Sequence, residues 1–468
     1  MKIKFCGADR TVTGSSHLVT LDDGYNILLD CGLYQGREEK FNDYNGRWFF
    51  NPAEIDCLVL SHAHIDHSGR IPKLVKDGFT GKIYSTSATR DLCAIMLMDS
   101  AKIQESDAEY LNKKFRKKRK NFEAKPLYTS DDVIPAIEKY VGLTYGSRHH
   151  VHKNATIEFR DSGHILGSAS VTLEVTRQNG KMIRLGFSGD IGRPSRPILR
   201  DPKPMVDLDY LICESTYGGE KHKSLPQDFE GLLKVITTTC LDKKGKLIIP
   251  AFSVGRTQEI VYTMDKLATK GRLPDIPVYV DSPLAVNATD IFRLHPDCYD
   301  SEIREYMMID PNPFGFNRLK YIRSVEESKK LNDLEGPAII ISASGMMAGG
   351  RILHHVFNNI ENAKNTILFV GYCAPNTLGY RIRNGEKRVK IFGKNLKVKA
   401  EIEIMDSYSA HGDEDEIIDY IHKLDRNRLK NIFLVHGDYD RQLKMADAMK
   451  ENGFKNISIP VLNEEIII

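Results

Sequence analysis

The sequence predicts an α/β protein in which one domain is inserted into another, and three observations lead to this prediction. The chain has 468 residues, too many for one compact core, so about two or three domains are expected. Residues 1–217 and 403–468 show short strands, turns and helices, whereas residues 218–402 alternate apolar strands with helices. Such alternation is typical of a mostly parallel sheet covered on both faces. The middle section is therefore expected to be the insertion.

The composition predicts a globular protein of the cytoplasm. Hydrophobic residues make up 41% and charged residues 28% of the chain, and no apolar run reaches the roughly 18 residues of a membrane span. Residues 1–21 alternate like a strand and lack the apolar stretch of a signal peptide. The eight cysteines form no CxxC pair, so we expect reduced, buried thiols. The net charge of +3 is too small to indicate a polyanionic partner.

Each section has its own predicted elements. In the first section the strands are 2–7, 17–21, 26–32, 56–62, 156–164, 168–175, 184–190 and 210–216, with a helix over 88–118. In the middle section the strands are 246–252, 277–283, 338–345 and 366–373, with helices at 256–268 and about 350–361. The final section begins with a strand in EIEIMDSYSAH and continues with a helix at about 413–425, a strand over 431–438 and a helix at about 441–452.

A dense group of metal ligands follows the apolar strand 56–62. His62, His64, Asp66 and His67 occupy six residues, and imidazole and carboxylate groups are both good zinc ligands. One tetrahedral zinc takes about three protein ligands and a water, so four ligands in one loop favour two ions. We therefore assign His62 and His64 to one ion, and Asp66 and His67 to the other. A polar loop of solvated histidines is the alternative, but it explains a lone histidine better than three.

Further ligands lie at the ends of other predicted strands. His164 and Asp190 end the predicted strands 156–164 and 184–190, and His436 lies near the end of the predicted strand 431–438. Side chains at strand ends can converge at the edge of a sheet. The two oxygens of Asp190 allow it to bridge both ions. The sequence thus predicts a centre with two zinc ions, for which manganese is an alternative.

These motifs resemble a known family. HAHIDH (62–67) resembles the HxHxDH motif of the metallo-β-lactamase superfamily, and Asp30, His164 and Asp190 resemble its first, third and fourth motifs. Glu214 in CESTYGG, His411 in SYSAHGD and His436 in LVHGD resemble motifs A, B and C of the β-CASP ribonucleases, such as the messenger-RNA 3′-end-processing endonuclease. SASGMMAGGR (342–351) is similar to another β-CASP signature. The likeness covers essentially the whole chain in the right order.

The resemblance implies a fold and an activity. The fold is an αββα sandwich formed by 1–217 and 403–468, with a β-CASP domain at 218–402. The activity is zinc-dependent hydrolysis of RNA, chiefly endonucleolytic, with 5′-exonuclease action left open. Histidine at motif C favours RNA over DNA. Alternatives are a hydrolase of DNA or of a small ester or thioester, and a non-catalytic RNA-binding subunit, against which the complete ligand set argues.

The resemblance also implies residue roles. It assigns His62, His64 and His164 to one ion, Asp66, His67 and His436 to the other, and Asp190 to both. Glu214 and His411 form a pair in which a protonated His411 is the general acid, or else a structural pair beside the metals. Asp30 orients a metal-binding histidine. We expect Asp66, Asp190, Glu214 and His411 to be the catalytic residues.

RNA contacts are expected from loops of small residues and from cations. The loop 342–351 can hold a phosphate through its amides, and through Ser342, Ser344, Gly345 and Arg351, although a tight turn explains its glycines equally well. Arg256 in AFSVGRTQE is a similar candidate. The basic run Lys113–Lys120 is either an RNA contact or a solvated helix face. A homodimer is a further expectation, and the natural RNA targets are not fixed by the sequence.

Overall fold

The chain folds into two compact units in the computed structural model, which describes residues 1–36, 39–117, 123–222, 229–371, 373, 376–405 and 410–468. The unit that we call the sandwich unit comprises Met1–Pro194, Asp201–Lys221 and His411–Ile468. The inserted unit comprises Ser195–Arg200 and His222–Ala410. The predicted domain boundaries are 217/218 and 402/403. The structure instead has unit boundaries at 221/222 and 410/411.

The described strands follow in chain order. They are β1 (Lys2–Phe5), β2 (His17–Thr20), β3 (Asn26–Leu29), β4 (Cys57–Val59), β5 (Lys82–Thr86), β6 (Tyr140–Leu143), β7 (Arg148–His152), β8 (Ala155–Asp161), β9 (Ala169–Thr176), β10 (Met182–Phe187), β11 (Tyr210–Glu214), β12 (Lys246–Pro250), β13 (Val278–Val280), β14 (Leu319–Tyr321), β15 (Ala338–Ser342), β16 (Thr366–Phe369), β17 (Arg388–Ile391), β18 (Lys394–Lys397), β19 (Glu401–Ile404), β20 (Asn431–Val435), β21 (Ile457–Ser458) and β22 (Glu465–Ile467).

The described α-helices follow in the same way. They are α1 (Glu39–Gly46), α2 (Ile65–Ser68), α3 (Ile71–Lys76), α4 (Ser87–Lys117), α5 (Ser130–Ile137), α6 (Phe229–Ile236), α7 (Arg256–Thr269), α8 (Pro283–Leu294), α9 (Ser301–Tyr306), α10 (Val325–Lys330), α11 (Ile352–Asn359), α12 (Leu378–Arg383), α13 (Glu414–His422) and α14 (Tyr439–Glu451).

Two stacked sheets form the sandwich unit. Among the described strands, seven pair in the order β22-β1-β2-β3-β4-β5-β6 and seven in the order β21-β20-β11-β10-β9-β8-β7. One core joins them: Phe5 and Val59 of the first sheet pack with Phe159 and Phe433 of the second. Burial of each such apolar side chain contributes about 1.5–3 kcal/mol to the stability of the folded state. Helices α13 and α14 cover the second sheet and α4 the first, which confirms the predicted αββα sandwich.

The inserted unit is built on a parallel sheet. The described strands pair in the order β14-β13-β15-β12-β16-β19, and all of these neighbouring strands are parallel. The run Ala338–Ser342 is buried throughout, as expected for a strand covered on both faces. Strand β19, which the sequence analysis assigns to the final section, pairs instead with β16 in this sheet. Strands β17 and β18 form a separate antiparallel hairpin.

Helix α4 contains the first part of the basic run Lys113–Lys120. Lys113 pairs with Glu109 at 3.5 Å, and the side chains of Lys114 and Arg116 are exposed. Residues 118–120 lie outside the described residues. None of the described helices has both the length and the apolar composition needed to cross a membrane.

Candidate metal centre

Four candidate ligands lie where the chain leaves strand β4. This strand ends at Val59, and His62 and His64 lie in the loop that follows. His64 is the N-cap of α2, and Asp66 and His67 lie within that helix. Because β4 is buried between neighbouring strands, its end fixes the position of the backbone that carries these four side chains.

Two glycines allow the chain segments around this loop to approach closely. A Cβ atom on Gly32 would lie 1.6 Å from the backbone oxygen of Asp66, and one on Gly192 would lie 1.9 Å from the backbone oxygen of Gly163. Gly192 also forms an isolated antiparallel bridge with His411. Any side chain at either glycine would force these backbones apart.

The first ligand set joins His62, His64, His164 and Asp190, whose ligand atoms lie within 4.8 Å of one another. Nδ1 of His64 lies 3.1 Å from Nε2 of His62 and 3.1 Å from Nε2 of His164. Oδ2 of Asp190 lies 3.4 Å from each of the same two nitrogens. Ligand atoms around a tetrahedral zinc lie about 3.3 Å apart, so this set fits one such ion.

The second set joins Asp66, His67 and His436, again within 4.8 Å. Nε2 of His67 lies 3.0 Å from Nε2 of His436, which lies 3.5 Å from Oδ2 of Asp66. Oδ1 of Asp190 lies 3.2 Å from Nε2 of His67. Asp190 therefore presents one carboxylate oxygen to each set.

The chemistry of these donors fits a pair of cations. Oδ1 of Asp190 is buried and accepts no hydrogen bond from the described residues, which is costly for a carboxylate oxygen. Nε2 of His67 and Nε2 of His436 face each other, so both cannot carry a proton there. A divalent ion at each set would satisfy these converging electron pairs.

Burial and charge set the protonation of the ligands. Burial lowers the pKa of His64 to about 3 and also lowers the pKa values of His62 and His164. These imidazoles are therefore neutral at physiological pH, the form that binds metal. Burial opposes protonation of His67, but the Asp190 carboxylate raises its pKa well above the ordinary value. A bound cation would take the place of that proton.

Asp30 contacts the candidate ligand His67 through Nδ1, the ring nitrogen that is not its ligand atom. Its Oδ2 lies 2.6 Å from Nδ1 of His67 and accepts hydrogen bonds from the hydroxyls of Ser61 at 2.9 Å and Ser15 at 3.3 Å. Its Oδ1 accepts the backbone N–H of Ser61 at 2.8 Å. A proton on Nδ1 of His67 leaves Nε2 free as the ligand atom. Asp30 itself belongs to neither ligand set.

Glu214 and His411 lie beside the first set. Nδ1 of His411 lies 3.3 Å from Oε2 of Glu214 and 3.9 Å from Oδ2 of Asp190. Oε1 of Glu214 accepts the backbone N–H of Ile191 at 2.5 Å. Burial lowers the pKa of His411, but the two carboxylates outweigh it and raise this pKa to about 9. The structure thus brings together the acidic and imidazole groups that the sequence pairs.

Thr216 is a member of this cluster that the sequence analysis does not identify. Its hydroxyl donates to Oε2 of Glu214 at 2.6 Å and lies 3.0 Å from Nδ1 of His436. It therefore connects the carboxylate at the end of β11 to a ligand at the end of β20. Its place two residues after Glu214 in CESTYGG is the only signal in the sequence.

The serines and the glycine predicted to contact RNA already form hydrogen bonds within the protein. The hydroxyl of Ser342 is buried and donates to the backbone oxygen of Asp281 at 2.7 Å. The hydroxyl of Ser344 accepts the backbone N–H of Ala348 at 3.0 Å. The backbone oxygen of Gly345 accepts the thiol of Cys373 at 3.8 Å. These bonds shape the loop, and its contact with RNA stays a prediction.

The two predicted arginines also have partners inside the inserted unit. Arg351 donates to Oδ1 of Asp281 and to the backbone oxygen of Arg323, both at 2.7 Å. Arg256 is buried and forms an ion pair with Glu259. Their side chains are therefore held by the protein, and an RNA contact by either remains a prediction.

The fold and the ligand sets are typical of a metallo-hydrolase, and family models match three parts of the chain. The metallo-beta-lactamase superfamily model matches residues 9–165, and the Beta-Casp domain model matches residues 257–382. A third model, described as a Zn-dependent metallo-hydrolase RNA specificity domain, matches residues 395–460.

Full-length relatives extend this similarity. The chain is 34% identical to Ribonuclease TTHA0252 of Thermus thermophilus over 97% of each chain. It is 30% identical to Transcription termination factor FttA of Methanocaldococcus jannaschii, over 98% of this chain and 70% of the relative. It is also 30% identical to an RNase J-like protein of the same organism, over 98% and 96%. The chain therefore belongs to the β-CASP family of the metallo-β-lactamase superfamily, and its site takes a divalent metal.

Proposed function

We propose that this chain is a zinc-dependent ribonuclease that hydrolyses RNA phosphodiester bonds, chiefly as an endonuclease. One observation carries the proposal: Asp190 presents Oδ2 to one set of imidazoles and Oδ1 to another. Such an arrangement suits two ions that share a carboxylate. Two zinc ions per chain are proposed, and the mixed nitrogen and oxygen donors also suit manganese.

The proposed ligands divide between the two sets. His62, His64 and His164 hold one ion, Asp66, His67 and His436 hold the other, and Asp190 serves both. Asp30 fixes the ring of His67.

Two divalent ions held by these residues would supply the activation of water and the neutralisation of charge on the phosphoryl group. The chain itself supplies the proton for the leaving oxygen. His411 is the proposed donor, since its raised pKa keeps the ring protonated at neutral pH. Glu214 holds that ring through Nδ1, and Nε2 is the proposed donor atom.

RNA is the proposed substrate because of the relatives and the family model that this chain matches. Two relatives that match nearly the whole chain are named as ribonucleases, and one matching family model is described as an RNA specificity domain. The proposed enzyme acts in the cytoplasm: its eight cysteines, all among the described residues, are buried and form no disulfide, whereas disulfides are typical of oxidising compartments.

The test compares cleavage of matched single-stranded RNA and DNA and of a small thioester. The RNA carries either a 5′-monophosphate or a 5′-triphosphate, so that product lengths separate endonucleolytic from 5′-exonucleolytic action. His64→Ala and Asp190→Ala should abolish cleavage, and His411→Ala should lower its rate by about 100-fold or more while bound metal is kept.

His150→Ala is the matched control, because His150 is an exposed histidine on strand β7. Circular dichroism establishes that each variant is folded. Full RNA cleavage by the Asp190 or His64 variant would refute the metal assignment, and preferential hydrolysis of the thioester or DNA would refute RNA as the substrate.

A further inference from the structure

Strands β17 and β18 form a hairpin with an unusual charge. Between residues 387 and 400 the chain has no acidic residue, and its basic residues are Lys387, Arg388, Lys390, Lys394, Lys397 and Lys399. All six side chains are exposed. We call residues 387–399 the cationic hairpin. In a protein whose net charge is only +3, this is a strong local concentration of positive charge.

The hairpin separates its apolar side chains from its charges. Val389, Ile391 and Leu396 are buried in the core of the inserted unit. On the exposed side, Arg388 lies directly opposite Lys397 in the strand register. Like charges at directly opposed positions destabilise a strand pair. No carboxylate of the described residues lies within 4 Å of any of the six cationic groups, so their charge is available to a ligand.

An exposed aromatic residue occupies the turn of the hairpin. Ile391 pairs with Lys394, so Phe392 and Gly393 form a two-residue turn, with φ of +48° and +82°. Turns of this kind favour Asn-Gly, because a left-handed backbone is strained in a residue with a bulky side chain. Phe392 is nevertheless there, and it is 54% exposed. A strained backbone and an exposed ring at one position point to a function in binding.

Other rings extend this surface. The exposed ring of His354 on α11 lies 4.6 Å from that of Phe392, centroid to centroid, at an angle of 33°. The ring of Phe357 lies 5.7 Å from Phe392 and 5.4 Å from Nζ of Lys394. Aromatic faces beside cations are the features that bind single-stranded nucleic acid, since the rings stack on bases and the cations contact phosphates.

We propose that the cationic hairpin is a docking surface for single-stranded RNA, with Arg388, Lys390 and Lys397 on phosphates and Phe392 stacked on a base. That the polyanion is RNA rests on the proposed ribonuclease function. The hairpin lies outside the loop residues from which RNA contacts are expected.

The first test is the salt dependence of binding. Full-length protein and a labelled RNA of about 20 nucleotides are mixed with EDTA so that the RNA stays intact, and Kd is measured by fluorescence anisotropy. In the triple variant Arg388→Gln, Lys390→Gln, Lys397→Gln, the slope of log K against log salt should be shallower by about 2, or about 0.7 per lost contact. Between about 50 and 200 mM salt the wild type should therefore lose about 20-fold more affinity than this variant.

A matched control removes the same charge from other elements of the inserted unit. Lys234, Lys270 and Lys320 are exposed and lie on or beside α6, α7 and β14. The triple variant Lys234→Gln, Lys270→Gln, Lys320→Gln should keep the wild-type slope. Equal slopes in the two triple variants would overturn the phosphate contacts.

The second test replaces the aromatic residue. Phe392→Asn introduces asparagine, which tolerates the left-handed backbone of the turn, so the hairpin should fold and Tm should not fall. RNA affinity should drop at least about fivefold, the lower range for one lost base stack. Unchanged affinity would overturn the stacking contact.

The outcomes separate this inference from the proposed enzyme. A chain that binds RNA through the hairpin but does not cleave it with zinc would sink the ribonuclease and leave the docking surface. If the chain cleaves RNA while the hairpin variant binds RNA normally, the ribonuclease stands and the docking surface is overturned. Loss of binding to phosphatidylserine vesicles in the hairpin variant, with RNA binding intact, would assign the surface to a membrane instead and overturn the proposal.

Discussion

Two residues of the metal cluster have backbone conformations that side chains usually avoid. Asp30 follows β3 with φ of +58°, and His436 follows β20 with φ of +51°. A left-handed residue other than glycine costs about 1–2 kcal/mol. The cost is offset locally, since Asp30 accepts bonds from Ser61 through both carboxylate oxygens, and the backbone N–H of His436 donates to Ala8 at 2.8 Å. The strain therefore lies at a proposed metal ligand, His436, and at the residue proposed to orient one, Asp30. Backbone strain is typical of functional sites.

Asp30→Asn should weaken metal binding by about 10–100-fold without unfolding the protein. The amide cannot replace both accepting oxygens, so the 2.6 Å contact with Nδ1 of His67 and the fixed tautomer are lost. Asparagine tolerates the left-handed backbone, which keeps the local fold. The measurement is zinc affinity by competition with a chelating dye.

Asp43→Asn is the control for this substitution, because the Asp43 side chain is 63% exposed. It removes one carboxylate without touching the cluster. Equal zinc affinity in the two variants would show that Asp30 does not orient a ligand.

Local patterns explain which elements the sequence could predict. Helix α7 is predicted over 256–268 and spans Arg256–Thr269, and the predicted strand 338–345 contains β15. Helix α7 repeats apolar residues at helical spacing, and β15 is a continuous apolar run, so each has a signal within its own length. The ligands after β4 could be predicted for a similar reason, because His62, Asp66 and their neighbours are close in sequence.

Long-range relations explain what the sequence could not predict. Strand β19 has a clear pattern, but its partner β16 is set by the packing of distant segments. Thr216 is one threonine among many, and only the approach of β20 to β11 brings it to His436. The turn at Phe392 lacks the Asn-Gly signal, so the hairpin around it has no turn signature in the sequence.

Asp265 should make the stability of the inserted unit depend on pH. It lies on α7, has no solvent exposure, and accepts a 2.6 Å hydrogen bond from Tyr306 at the end of α9. Burial raises its pKa to about 7, although the Tyr306 bond opposes the rise. The unfolded carboxyl loses its proton first, near pH 4, so the folded state should lose stability as pH rises from about 4 to 7.

Asp265→Asn removes that proton equilibrium. Relative to wild type, the variant should gain about 2 kcal/mol in its free energy of unfolding between pH 5 and pH 8, once solvent screening is allowed for. Urea unfolding at the two pH values measures this difference. Asp242→Asn, at an exposed position, is the control, and a difference no larger than its own would contradict the prediction.

At the scale of the whole molecule, the proposed metal ligands belong to one unit but to both of its sheets. His62, His64, Asp66 and His67 follow a strand of the first sheet, whereas His164, Asp190 and His436 follow strands of the second. Metal bound at the proposed site would therefore connect two sheets that are otherwise joined by an apolar core. The inserted unit has its own core and supplies none of these seven residues.

Removal of the metal should consequently loosen the sandwich unit and leave the inserted unit's sheet unchanged. A ligand at 100 times its Kd stabilises the folded state by about 2.7 kcal/mol, and its loss is felt where it binds. In hydrogen exchange after chelation, amides in 61–69, 162–167, 188–192 and 436–438 should exchange faster, and zinc should restore their protection. Amides of β12, β15 and β16 should keep their rates; equal acceleration there would mean that the metal stabilises the chain as a single cooperative body.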